Sequence, residues 1–580
     1  MNIETSNSYP IRTIGVGGAA GDGVREAGVH FGEFAQRIGC HAFLAFYYPS
    51  LIRGGHNFAR VSFSSEKIHA DHAKLDIMVA ISADDVRIRK PEFAPDAIVI
   101  VESTYADAAK QYTDTVWALP MMAVTKELNA PHAAMSSVSI GAIAYVVGLS
   151  REEFANIAPT IFTDLVGGKE INTTLAMSGY DIARTEGFPL HPEMHASVCV
   201  GQTGELIEGN KAVAKGLQAA GLEFYVGYPM TPSTSILTYF AKEAALGKLK
   251  VVQPEDEIAV MTMALGISYA GVRTAIGTAN GGFALMQEAF SFAGISELPV
   301  VAVVSQRQGP ATGVATHTGQ SDLRFVIHAG HGEFPRLVIA PGDVEECFQA
   351  GVVSLNLAWK YQIPVIVLLD KQISESQATS TIDMETKNID LGSRFTPGDS
   401  DYKRYTFTDS GVSPLAFPGM PGAHVKATSY EHNEFGSTVD TASDVQAMQD
   451  KRWRKGEGLK SEFANYDTVK TSGALESETA IVFWGSTKGA VLEAGKMMKT
   501  PLRFVQVIWM EPFDEVRMSE ALRGAQRVIV VEGNHGAQLA GLIREKTGIA
   551  ATETLTKYDS DPFEPHALAE ELRRRLGEAS

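Results

Sequence analysis

Three consecutive carboxylates, Glu255, Asp256 and Glu257, stand between the short apolar run Val251–Val252 and an apolar helical run, IAVMTMALGISYAG. Carboxylates at a helix start complement the positive end of the helix dipole, which accounts for Glu255 and Asp256. Glu257 differs, because the apolar positions after it draw it inward. A second group is Tyr228-Pro229-Met230-Thr231-Pro232-Ser233-Thr234, which follows the strand-like run FYVG. Its prolines fix a turn, and Thr231, Ser233 and Thr234 offer hydroxyls there. A third, SQRQGPATGVATHTGQSD, carries Arg307 and Thr316. A structural salt bridge is the plain use of Arg307. TANGGFALMQE brings Asn280, and PSLIRGGHN brings Arg53 beside Gly54 and Gly55. Paired glycines and an arginine suit close contact with an anion, or an ordinary turn with an exposed cation.

Other signals have plain rivals. Gly15, Gly17, Gly18, Gly21 and Gly23 lie between a strand-like run and a helical one. A nicotinamide dinucleotide site there would need an acid after a second strand, and Glu33 comes too early. A tight turn for packing, or for a partner's ligand, fits better. Gly21-Asp22-Gly23 invites a thiamine diphosphate reading, but the Asn-Asn pair that would complete the metal and diphosphate site occurs nowhere in the chain. His328-x-x-His331 could share a helix face, with His317 nearby, yet no cysteine or acid stands at ligand spacing. Cys40, Cys199 and Cys347 are far apart with no Cys-x-x-Cys, which argues against a disulfide framework and against a self-contained iron–sulfur or zinc site.

These groups need a scaffold, and hydrophobic patterning supplies one. The fold class is α/β, with three mostly parallel open-sheet domains. Residues 1–195 form the first, with strand-like LDIMVAIS and DAIVIVES. Residues 205–380 form the second, where KVVQP, TAIGTA, LPVVAVVSQ, RLVIA and IPVIVLLD read as buried parallel strands. Residues 381–472 read as an extended linker rich in Gly, Pro, Ser and Asp. It contains one exposed helix, DVQAMQDKRWRKGEGL, whose charges form a solvated face. Residues 473–580 form the third domain, with TAIVFWGS, RFVQVIW and RVIVVEGN as strands.

Six motifs in one order carry a family resemblance: YPMTPST, PEDEIAV, TANGGFALMQE, QRQGPATGVAT, WGST and VEGNHGAQLA. Together they resemble the α subunit of 2-oxoacid:ferredoxin oxidoreductases, most closely the 2-oxoglutarate type. GVGGAAGDGV and PSLIRGGHN resemble the γ domain of the same enzymes, fused N-terminally. The three domains then become a γ-type domain, a pyrimidine-binding thiamine diphosphate domain and a transketolase-C-terminal-like domain. Two departures stand out: Met230 replaces the usual isoleucine, and Ala279-Asn280-Gly281-Gly282 replaces Ser-Gly-Pro-Gly.

The resemblance implies thiamine diphosphate shared with a separate β subunit, which carries Mg²⁺, the diphosphate site and a [4Fe–4S] cluster. It implies CoA as co-substrate, ferredoxin as electron partner and an (αβ)2 assembly. The reaction would interconvert 2-oxoglutarate, CoA and oxidised ferredoxin with succinyl-CoA, carbon dioxide and reduced ferredoxin. Pyruvate, branched-chain and aryl oxoacid enzymes, or a non-catalytic relative, are the alternatives. Glu257 matches the pyrimidine-activating glutamate; Tyr228, Pro229 and Asn280 match cofactor-contacting positions. Thr231, Arg307 and Thr316 match the substrate clamp, with Arg53 a second candidate for the anionic end.

Composition sets outer limits. The 580 residues carry 50 Lys plus Arg against 68 Asp plus Glu, a formal net charge of −18. Such a chain repels a phosphate backbone, which disfavours nucleic acid as a partner. No apolar run reaches the roughly 20 residues of a membrane helix, and the start MNIETSNSYP lacks a signal-peptide pattern. A cytoplasmic location is the expectation.

Overall fold

A computed structural model describes residues 11–49, 55–162, 168–191, 204–381, 383, 388–397 and 402–578. They fall into two compact units. One comprises Glu208–Glu375 with Asp383–Phe563. The other comprises described parts of Glu4–Ile207 with Ser376–Ile382 and Glu564–Ser580.

The unit that contains the N-terminal block is built on an eight-stranded sheet. Strands Val116–Leu119, Phe93–Glu102, Leu75–Ala80 and Arg12–Gly18 run parallel. Arg12–Gly18 then pairs antiparallel with Asn57–Ser64, and that strand with His41–Tyr47. Of PSLIRGGHN, residues 50–54 lie outside the described residues, and Asn57 begins strand Asn57–Ser64. Strand Gln377–Ser380 joins this sheet beside His41–Tyr47, so the sheet takes a strand from the last residues of the second block. Gly15, Gly17 and Gly18 are buried within strand Arg12–Gly18, where a Cβ would press on Phe58, Met78 and Ile81. Packing takes up these glycines. Helix Ser136–Val146 is apolar on all sides and lies against helix Gly168–Thr185. A Cβ at Gly141 would fall 1.7 Å from the Ala176 carbonyl oxygen, so only glycine admits the contact.

The other unit holds two sheets. The seven-stranded sheet runs in the order Trp509–Glu511, Leu337–Ile339, Pro364–Asp370, Val300–Gln306, Thr274–Ala279, Phe224–Gly227, Lys250–Val252. All neighbours are parallel except the edge strand Trp509–Glu511. Its central strands are buried throughout, as parallel strands covered on both faces must be. The five-stranded sheet pairs Val469–Gly473 antiparallel with Arg503–Val507, then continues parallel through Thr479–Phe483, Arg527–Glu532 and Glu553–Thr556.

Two expectations change. Helix Ala442–Ser461 is not a solvated charged helix: Lys451, Arg452 and Lys455 are buried. Lys451 Nζ bonds both Glu297 oxygens at 2.8 Å, Lys455 also pairs with Glu297, and Arg452 pairs with Glu431. Charge composition alone cannot distinguish a wet face from one answered by distant carboxylates. Cys40 is disulfide-bonded, against the expectation from cysteine spacing, and Cys347 is free and buried, with burial raising its thiol pKa.

Candidate functional site

The groups singled out in the second block collect at the carboxyl ends of adjacent parallel strands. Tyr228 follows Phe224–Gly227, Asn280 follows Thr274–Ala279, Arg307 follows Val300–Gln306, and Asp370 ends Pro364–Asp370. Open parallel sheets present ligands with this edge.

Glu257 is the first residue of helix Glu257–Tyr269. The cap is Asp256, whose carboxylate accepts the Ala259 N–H at 2.8 Å, while Glu255 is exposed. Those two acids thus do the dipole and capping work, and Glu257 is left for another use. Glu257 is only 5% exposed, and its Oε1 is buried with no hydrogen-bond partner among the described residues. Gly282 makes room for it: a Cβ there would stand 3.0 Å from Glu257 Oε1 and 2.2 Å from Thr278 Oγ1. An unanswered buried carboxylate oxygen costs about 1–3 kcal/mol, so such an atom calls for a partner from a ligand or an ordered water.

The turn at 228–234 is held from beneath. Asn210 Nδ2 donates to the Pro232 carbonyl at 2.8 Å and to Ser235 Oγ at 2.9 Å. Ser233 Oγ donates to the Met230 carbonyl at 2.8 Å. Tyr228 is half-buried and Pro229 exposed. The Thr231 carbonyl accepts Arg307 Nη1 at 2.7 Å, joining the turn to the third motif.

Arg307 is 7% exposed and forms no ion pair among the described residues, so the salt-bridge alternative is not realised. Its Nε has no hydrogen-bond partner there, and neither has the buried Thr316 hydroxyl. Burial lowers the Arg307 pKa. Asn280 is buried and opens helix Asn280–Leu285. Its Nδ2 donates to the Arg307 carbonyl at 2.8 Å and to Asp322 Oδ2 at 3.0 Å, and its Oδ1 accepts the Gly281 N–H. Its amide is thus engaged in positioning the Arg307 loop. Asp322 is pushed up to about 6 by burial, an effect the Asn280 hydrogen bond partly offsets. Arg53 lies outside the described residues. Helix Leu323–Ile327 stops before His328 and Gly330 turns at φ 78°, so His328 and His331 do not share a helix face.

Sequence reasoning missed three supports: Asn210, Asp322 and Gln320. Gln320 Nε2 donates to Asp370 and to the Trp484 carbonyl, each at 3.1 Å. Its Oε1 accepts the Gly533 N–H at 2.8 Å. Its side chain therefore joins Trp484-Gly485-Ser486 and Glu532-Gly533-Asn534, the strand-end turns of the five-stranded sheet, to the loop that bears Arg307 and Thr316. An isolated glutamine gives no sequence signal for such a role.

Comparison with known proteins settles the family. Residues 215–451 match the family model for the thiamine-diphosphate-binding domain of pyruvate flavodoxin/ferredoxin oxidoreductase, and residues 13–182 match that for pyruvate ferredoxin/flavodoxin oxidoreductase. A 2-oxoacid:ferredoxin oxidoreductase subunit alpha of Sulfolobus sp. is 31% identical over 97% of this chain and 96% of its own length. The chain belongs to the 2-oxoacid:ferredoxin oxidoreductase alpha subunits. Within that family, a 2-oxoglutarate synthase subunit KorA of Methanothermobacter marburgensis is 29% identical over 63% of this chain and 97% of its own length. A solved 2-oxoglutarate:ferredoxin oxidoreductase from Magnetococcus marinus, with 2-oxoglutarate, coenzyme A and succinyl-CoA bound, aligns at TM-score 0.87 and 28% identity. That alignment covers 98% of this chain and 100% of the other. The alpha subunit thus has an enzyme family, a thiamine-diphosphate-binding domain and a matching fold. Among the described residues, no helix is long and apolar enough to cross a membrane.

Proposed function

We propose that this alpha subunit acts in a CoA-acylating 2-oxoglutarate:ferredoxin oxidoreductase, which interconverts 2-oxoglutarate, CoA and oxidised ferredoxin with succinyl-CoA, carbon dioxide and reduced ferredoxin. The observation that carries the reading is the unanswered Glu257 Oε1 at the carboxyl edge of the seven-stranded sheet, with Gly282 leaving space beside it. These residues fit the pyrimidine end of thiamine diphosphate, which when bound supplies the carbon nucleophile and electron sink for decarboxylation. Glu257 offers its buried oxygen to a ring nitrogen and holds the proton there. The turn Tyr228–Thr234, braced by Asn210, shapes the adjoining wall. Arg307 is fixed by the Thr231 carbonyl through Nη1, which leaves its Nε for the oxoacid, and Thr316 adds a hydroxyl. Arg53 is assigned to the anionic end on its motif alone. This chain lacks an Asn-Asn pair and clustered cysteines. The family resemblance assigns the diphosphate, Mg²⁺ and the [4Fe–4S] cluster to a β subunit, in an (αβ)2 assembly that passes electrons to ferredoxin in the cytoplasm, and that lack agrees with it.

The relatives named for 2-oxoglutarate support that substrate over pyruvate. The test is viologen reduction by the co-purified complex, dependent on CoA, with 2-oxoglutarate and pyruvate compared side by side. Reduction with 2-oxoglutarate alone is expected. Reduction with pyruvate instead overturns the substrate, and reduction with neither, in a complex loaded with cofactor and cluster, overturns the reading.

A further inference from the structure

Away from that site, three side chains converge within the unit that contains the N-terminal block. His72 lies between strands Asn57–Ser64 and Leu75–Ala80, while Glu564 and His566 open helix Pro565–Leu576 near the far end of the chain. One ligand atom from each lies within 4.8 Å of the others. The two imidazoles meet edge to face, with ring centroids 5.8 Å apart at 77°. The carboxylate of Glu564 is divided: Oε2 caps the helix by accepting the Ala567 N–H at 2.7 Å, and Oε1 is buried with no hydrogen-bond partner among the described residues.

A buried carboxylate oxygen without a donor calls for a cation. The nearest buried cation in the sequence around His72 is Arg60, which is already engaged by Asp71 at 2.5 Å and Glu92 at 2.8 Å. Two imidazole nitrogens and one carboxylate oxygen form the donor set of zinc and similar borderline divalent ions. His566 is exposed, so the remaining coordination position opens to water. A helix N-terminus disfavours a cation, but that effect is weak beside three-ligand coordination, and the Glu564 carboxylate opposes it.

We propose that His72, Glu564 and His566 bind a zinc-class divalent metal that ties helix Pro565–Leu576 to the loop carrying His72. Such a clip would close a loop spanning most of the chain and would be structural.

The test uses the full-length untagged chain, loaded with Zn²⁺ and freed of excess by gel filtration. One zinc per chain is expected, with hydrogen-exchange protection over 565–576 that rises on metal addition. His566→Ala removes an exposed ligand and should fold. It should bind Zn²⁺ more than about 100-fold more weakly, since even outer-shell partners are worth 10–100-fold, and should lose the metal-dependent protection. Glu564→Gln should weaken binding in the same sense, and His331→Ala should retain the wild-type affinity. The proposal is overturned if the wild type retains no zinc, if His566→Ala binds as tightly as wild type, or if His331→Ala is the variant that loses it.

Discussion

Two buried charged regions of the same unit are built on opposite rules. Around Glu297, every charge is answered: Lys451, Lys455 and Arg404 converge on it, and Arg404 also donates to the Glu297 carbonyl at 2.7 Å. Burial alone would raise the Glu297 carboxyl, but its cations outweigh that and hold it well below the usual carboxylate range. Burial pushes Lys455 down to about 7, and the Glu297 carboxylate opposes that shift. Around Glu257 and Arg307, by contrast, polar atoms are buried and left without partners. The first region spends its charges on holding a helix in place. On the function proposed above, the second keeps its donors and acceptors for a ligand, at a cost in stability.

The contrast can be broken from either side. The largest effect is expected at Glu257. In Glu257→Gln, turnover should fall about 10²- to 10⁴-fold, the usual worth of a positioned acid–base group, while thermal unfolding of the complex stays level or moves upward. A turnover close to wild type would remove Glu257 from the chemistry. Glu297→Gln should do the reverse. Orphaning a buried pair costs about 3–5 kcal/mol, which denaturant titration would read, whereas the folded fraction should keep its activity. Arg307→Ala should raise the apparent KM for the oxoacid, with kcat/KM lowered by about 1.5–3 kcal/mol, the range for hydrogen bonds to charged groups. An unchanged KM would move the clamp elsewhere.

The smallest effect sharpens the comparison through pH. Asp322 titrates near 6 in the folded chain against an ordinary 3.8. Between those values the folded state keeps a proton that the unfolded state has released, so stability falls as pH rises through that window. Above it the full penalty is present. Asp322→Asn should therefore be more stable than wild type at pH 7.5 by about 1–3 kcal/mol, with the gap closing below pH 4. A pH-independent difference would show that Asp322 is ionised throughout.

What the sequence disclosed follows from what each signal measures. Buried parallel strands such as VVAVVSQ and PVIVLLD announce themselves by continuous apolarity, and the family motifs fall at their ends. Glu257 was separable from Glu255 and Asp256 because the helix behind it is apolar, and the cap geometry of Asp256 agrees. Partners distant in the chain were not legible. Lys451 and Glu297 are 154 residues apart, and nothing local marks either as buried. Strand Gln377–Ser380 is short and polar, so its place beside His41–Tyr47 could not be read from pattern. Nor was it legible that the Asn280 amide bonds the Arg307 carbonyl and Asp322, 27 and 42 residues away.

The Gln320 side chain carries a further consequence. One amide group joins the strand-end turns of the five-stranded sheet to the loop that presents Arg307 and Thr316. The last sheet is therefore not an exchangeable module. Replacing it with a homologous sheet whose turns are shifted by one residue would break the bonds to Trp484 and Gly533 while leaving every proposed site residue in place. The loss would register in oxoacid affinity, far along the chain from the graft. Chimeras between relatives should consequently keep the 306–322 loop and the final sheet from the same parent.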